Sequence, residues 1–263
     1  MKTVPPMSFS TRIRCVLAVF DYLCFALGGS VLSLVLLLIR PLMSARLRVH
    51  VGSRMLQCSW KLMCCLLSLT RNLSLRTPDR SRMAALRGSV IVANHPSLID
   101  VVILASIIPG CKLVVSPKLM RWRFLRPILH GLCIINNGDV AYFLSQAEEC
   151  LEQGFNIIIF PEGTRTTPGV RSRIHRGAAR LSMLTERPLI PIRIQTDMPF
   201  LTKDYPGWYV GEHCPEFVVT MQAPICGGMQ PGESAHAACV RLSREIAERI
   251  LPDQEGAGSA PSA

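Results

Sequence analysis

Hydrophobic positions along this chain fall into two regimes. In the first, residues 15–39 read CVLAVFDYLCFALGGSVLSLVLLLI, an almost unbroken apolar run with a single charge, Asp21. At about 1.5 Å of rise per helical residue the whole run could span a hydrocarbon core of about 30 Å. Gly28-Gly29-Ser30 reads instead as a break, leaving two arms that each reach roughly 15 Å, one leaflet deep. Lys2, Arg12 and Arg14 precede the run, and Arg40, Arg46, Arg48 and Arg54 follow it. Cations on both flanks fit a re-entrant hairpin better than a crossing, because both ends can then stay on the cytoplasmic side. No A-x-A cleavage site precedes the following basic stretch, so the run is expected to be a retained anchor. Residues 55–76, MLQCSWKLMCCLLSLTRNLSLR, form a second apolar stretch holding Lys61 and Trp60. That pattern suits either an amphipathic helix at the membrane interface or an ordinary core helix.

The second regime begins near residue 88, where short apolar, β-branched runs alternate with segments of helical period. Strands are predicted near 89–93, 112–115, 132–135, 155–160, 189–194 and 216–221. Helices are predicted near 97–107, 140–153, 176–186 and 233–250. This alternation predicts an α/β fold: a mostly parallel twisted sheet flanked by helices, preceded by an N-terminal membrane-associated helical segment. The expected organisation is an anchor with interfacial helices over 1–76, an α/β domain over 77–251, and a disordered, small-residue tail over 252–263.

Charge narrows the partners. The 263 residues carry 29 Lys+Arg against 18 Asp+Glu, a formal net charge of +11. Such a balance suits either nucleic acid or an anionic membrane. A mean hydropathy of +0.31 favours the membrane. No nucleic-acid-binding signature is present, and no nucleic-acid partner is expected. Between residues 40 and 87 cations outnumber a lone acid, Asp79, forming a basic collar. The 11 cysteines include no C-x-x-C and lie mostly in apolar runs, so they read as small hydrophobes of a reducing compartment. His and Cys show no metal-ligand spacing, and no metal is expected.

The chemistry concentrates at strand ends. SVIVA runs into NHPSLID (94–100), placing His95 just past a strand's carboxyl end, where open α/β sheets gather ligands. Pro96 and Ser97 suit a helix opening, so Asp100 can fold back toward the His95 ring, orient it and stabilise its protonated form. On spacing alone such pairs arise often by chance. Here FPEGTR (160–165) follows the next strong strand: Gly163 permits a tight turn, and Arg165 offers a planar five-donor fork to an anion. RSRIHRG (171–177) adds Arg171, Arg173 and Arg176, which read first as a solvated or membrane-facing basic face. Lys118, in SPKLMRWRF, sits in a stretch typical of an interfacial loop. Trp122 and Phe124 beside it suit either core packing or an acyl-chain groove.

Taken together, NHPSLID, FPEGTR and RPLIPI (187–192) resemble, in order and spacing, the glycerolipid acyltransferase family typified by 1-acylglycerol-3-phosphate acyltransferases. The resemblance covers roughly residues 85–200. It implies direct transfer of a fatty acyl group from a thioester, acyl-CoA or acyl carrier protein, to the hydroxyl of a lysolipid acceptor, without a further cofactor. In that reading His95 is the general base and Asp100 its partner. Glu162, Gly163, Thr164 and Arg165, with Lys118 and Arg176, hold the acceptor's anionic group. A chain of this kind is expected to work among membrane lipids, with its catalytic domain on the cytoplasmic face of a bacterial inner membrane. One departure bears on the acceptor. The family's G-x-x-F-I-D-R block corresponds to GLCIINNGD (131–139), with Asn137 in place of the phosphate-contacting Arg. That substitution leaves open a phosphate-free acceptor such as a lyso-ornithine-type aminolipid, or a non-catalytic lipid-binding member of the fold.

Overall fold

The computed structural model describes residues 2–39, 41, 43–115, 133–135, 138–166 and 172–251. Lys118, Trp122, Phe124, Asn137, Arg171 and the 252–263 tail lie outside them. Among the described residues there is a seven-stranded sheet built from β1 (Ser74–Arg76), β2 (Val90–Ala93), β3 (Cys111–Val115), β4 (Cys133–Ile135), β5 (Asn156–Ile159), β6 (Leu189–Thr196) and β7 (Glu216–Met221). The strand order is β1-β7-β6-β2-β5-β3-β4. β6 and β7 pair antiparallel; the other neighbours run parallel.

β2 is central, its Val90 facing Ile157 of β5 on one side and Leu189 of β6 on the other. All four β2 residues are buried, as a parallel strand covered on both faces requires. The period of two then divides the core. Val90, Val92, Ile157 and Ile159 pack against α5 (Val140–Glu152), α6 (Gly177–Thr185) and α7 (Ala235–Ile250). Ile91, Ala93 and Ile158 face α4 (Asp100–Ile107) and α2 (Ala45–Leu69). A one-turn α3 (Arg80–Ala84) links β1 to the rest.

The N-terminal helices correct two expectations. α1 (Phe9–Ile39) runs straight through Gly28-Gly29, where neither glycine has a neighbour that a side chain would strike. A Gly pair lowers helix propensity by only about 1 kcal/mol per residue, which a long apolar helix absorbs. α2 is a core helix in its second half: Leu56, Met63 and Leu67 are buried with Ile103 and Ile107 of α4. The two helices form an antiparallel hairpin, with Asp21 bonded to Thr70, Phe25 against Trp60, and Leu36 against Gly52. By length and composition α1 could cross a membrane. Its first half, however, rests on the body, because Thr11, Cys15, Ala18 and Asp21 are buried along one face. Residues 23–39 remain, a length of roughly 25 Å. Asp21, the single charge of the apolar run, ties α1 to the end of α2: its Oδ2 accepts from Thr70 Oγ1 at 2.7 Å and Asn72 Nδ2 at 3.1 Å. β1 belongs to the sheet, so the boundary expected at residue 77 falls inside the folded unit.

Candidate active site

The carboxyl end of β2 positions the site. Asn94 stitches β2 to β6, its Nδ2 donating to Ile194 O and its Oδ1 accepting from Ile194 N, both at 2.7 Å. The chain then leaves the sheet, and α4 opens at Asp100 after a turn in which Asp100 N donates to Ser97 O. This turn folds the Asp100 carboxylate back over the start of the segment. Its Oδ2 lies 3.0 Å from His95 Nδ1 and accepts from Ser97 N at 2.7 Å.

Asp100 is completely buried. Burial pushes its carboxyl up to about 6, while the His95 ring and the Ser97 N–H restrain the rise. The His95 ring stacks on Phe160 at 4.3 Å between centroids and keeps 13% of its side chain exposed. Among the described residues nothing bonds to Nε2, so with Nδ1 donating to Asp100 the outward nitrogen carries a lone pair.

The 160–166 turn holds this segment from the other side. Glu162 is buried and its Oε1 accepts from His95 N at 3.0 Å and from Thr166 Oγ1 at 2.6 Å. Thr166 closes the clamp: its Oγ1 accepts from His95 N at 3.0 Å and its N donates to His95 O at 2.7 Å. Glu162, expected to face the acceptor, thus turns inward and fixes the backbone of His95. Gly163 adopts φ +66°, and a Cβ there would come within 3.1 Å of the His175 ring. The turn therefore needs glycine for both backbone and space. Thr164 is exposed at its tip. Arg165 spends one terminal nitrogen on the carbonyls of Leu201 and Thr202, each at 2.9 Å, leaving its other N–H groups for a ligand.

Behind Phe160, Pro161 and Gly163 lies a cavity of about 760 Å³. One wall is apolar, with Val114, Val140, Phe143 and Leu144; the other carries Arg173, His175, Arg176 and Arg180. The structure thus brings Arg176 and Gly163 to one cavity beside His95. Thr166, Phe160, His175 and Arg180 were not read from sequence. Only adjacency to FPEGTR and RSRIHRG marks them, and their roles depend on contacts between distant segments. Among the described residues no group of three His, Cys, Asp or Glu side chains could hold a metal.

The family model "Acyltransferase" matches residues 75–195, a stretch that holds both His95 and Asp100. Among characterised relatives, human 1-acyl-sn-glycerol-3-phosphate acyltransferase alpha is 28% identical over 121 residues, covering 43% of each chain. The 1-acyl-sn-glycerol-3-phosphate acyltransferase of Cocos nucifera is 23% identical over 114 residues, 40% of this chain and 36% of its own. The chain thus matches less than half the length of these relatives. The crystal structure of the 1-acyl-sn-glycerophosphate (LPA) acyltransferase PlsC from Thermotoga maritima superimposes with a TM-score of 0.69 at 16% identity, covering 95% of this chain and 99% of that one. That likeness extends the shared fold to the helical hairpin.

Proposed function

We propose that the protein is a membrane-bound O-acyltransferase that moves a fatty acyl group from acyl-CoA or acyl carrier protein to the hydroxyl of lysophosphatidic acid. The observation that carries this reading is the His95–Asp100 pair at 3.0 Å, its ring stacked on Phe160, which lines a cavity with one apolar and one cationic wall. His95 Nε2 takes the proton of the acceptor hydroxyl as its oxygen attacks the thioester carbon. The buried Asp100 carboxylate stabilises the imidazolium that forms. As the C–O bond is made and the C–S bond breaks, the imidazolium returns its proton to the leaving thiolate. A thioester is already activated, so no covalent enzyme intermediate is required.

Arg173, Arg176 and Arg180 supply the charge that Asn137 lacks for a phosphate, and the apolar wall takes the acyl chain. The family match and the names of the relatives support a lysophosphatidic acid acceptor. Membrane association rests on the α1–α2 hairpin, whose Leu23, Leu27, Val31, Leu34 and Leu38 are exposed along α1. The basic collar adds about 1 kcal/mol of attraction to anionic headgroups per residue near the surface.

The reading is tested by following free thiol release from acyl-CoA and from acyl carrier protein, with the full chain in mixed micelles. Lysophosphatidic acid should be acylated faster than a phosphate-free lyso-acceptor of equal chain length. A preference for the phosphate-free acceptor would replace the proposed substrate, and no turnover with any acceptor would remove the enzymatic reading. Arg176→Ala should raise KM for lysophosphatidic acid about tenfold, since a charge-assisted hydrogen bond is worth about 1.5–3 kcal/mol. The donor KM should stay unchanged, and initial rates over an acceptor series check this.

Activity should also fall in acid. The Asp100 carboxyl, raised to about 6, becomes protonated as pH drops through that value, and a neutral acid no longer steadies the imidazolium. A kcat profile measured from pH 5 to 8 should therefore decline toward its acid end.

A further inference from the structure

Residues 198–212 form no helix or strand, yet part of the segment reaches the core. Phe200, Tyr209 and Val210 are buried in the core. The loop's ends close on each other at Gly211, φ +80°, where a Cβ would stand 2.7 Å from Met198 Sδ. Leu201 holds φ +53°, a left-handed conformation costly for a branched residue and typical of constrained functional sites.

The carbonyls of this loop point in two directions. At one end they receive the active-site segments: Ser97 Oγ donates to Phe200 O at 2.5 Å, Leu98 N to Leu201 O at 3.2 Å, and Arg165 to Leu201 O and Thr202 O. At the other end they receive α1: Tyr22 Oη donates to Gly207 O at 2.7 Å, and Arg14 to Val210 O at 3.3 Å and Gly211 O at 3.5 Å. Lys2 N also donates to Asp204 O at 2.7 Å. At the active-site end Ser97 and Phe200 are buried, so an unpaired carbonyl there would be costly. At the other end the Tyr22 and Arg14 bonds fix a more exposed stretch of the same loop.

We infer that the 198–212 loop is a positioning strut through which the seating of α1 on the body sets the geometry of the His95–Asp100 turn, with Arg14 and Tyr22 as positioning residues. The inference rests on the acyltransferase reading for its kinetic consequence but not for its structural one. When Arg14 and Tyr22 release the loop, the Leu98 amide and the Ser97 hydroxyl lose a fixed acceptor, and the imidazole drifts from its carboxylate. An apolar helix seated in lipid thereby supports catalysis from outside the substrate cavity.

The test compares the full chain in micelles with the double variant Arg14→Gln/Tyr22→Phe. Tyr22→Phe alone is the milder change, and Arg12→Gln, on the exposed face of the same helix, is the control. Hydrogen–deuterium exchange of the 94–100 segment is followed without substrate, where the Leu98 amide should exchange faster in both loop variants and not in the control. In the transfer assay kcat should fall about tenfold in the double variant, less than the 10²-fold expected for an ångström-scale displacement of a reacting group. Both KM values should hold within about twofold of the unchanged protein. Unaltered exchange at 94–100 with α1 released overturns the strut whether or not the protein transfers acyl groups. A change confined to KM overturns the positioning role. Faster exchange in a protein with no activity at all leaves the strut standing and removes the acyltransferase reading.

Discussion

His95→Ala is expected to lower kcat by about 10²–10⁴, the contribution of a positioned general base, while leaving both KM values within a few-fold. The substitution removes the nitrogen that accepts the hydroxyl proton without disturbing the backbone clamp, since Glu162 and Thr166 bind the His95 main chain and not its ring. The ring lies against Phe160 with 13% of its side chain exposed, so its loss leaves a dent open to solvent in place of a sealed void. Thiol release measured beside a thermal melt separates the two effects. Turnover equal to that of the unchanged protein would take the proton transfer away from His95.

Asp100→Asn carries a sharper expectation, because activity and stability should respond differently. The amide keeps the shape and can still accept from Ser97 N, but it brings no charge to balance the imidazolium. If its NH₂ turns toward His95, it also imposes the tautomer that leaves no lone pair at Nε2. A loss of about 10⁴ in kcat is expected, the size found when a His-bound carboxylate is neutralised. Stability should not fall with it. The folded carboxyl sits above its ordinary value, so its favourable contribution exists at low pH and is lost as pH rises through about 6. At neutral pH the ionised group is fully buried, and its Oδ1 has no hydrogen-bond partner. Removing that charge should leave the Tm unchanged or raise it, as urea or thermal unfolding at pH 7.5 would record. A marked fall in Tm would mean that Asp100 holds the fold together and not only the imidazole.

Much of the α/β body is legible along the chain. The predicted strands at 89–93, 155–160 and 216–221 appear at Val90–Ala93, Asn156–Ile159 and Glu216–Met221. Continuous β-branched runs of this length have few alternatives to a doubly covered parallel strand. β1 escaped notice because three residues at the end of an apolar helix carry no periodicity of their own. The expected break at Gly28-Gly29 does not form, because a local penalty of about 1 kcal/mol per glycine is small beside the cooperativity of a long apolar helix. Glu162 and Arg165 show the same limit at the site. Their motif marks a loop that matters, yet whether each side chain faces a ligand or its own backbone depends on segments tens of residues away.

The order of elements, the two-faced burial of the strands, the apolar leading helix and the placing of His95 and Asp100 in one turn were all decided by sequence, because each follows from contacts within a few residues. Tertiary structure alone decided that Glu162 and Thr166 grip the His95 backbone, that Arg173, His175, Arg176 and Arg180 share a cavity with an apolar wall, and that α1 reaches the site through the 198–212 loop. Those arrangements arise when buried polar groups far apart in the chain must find partners, and no local pattern records which ones they find.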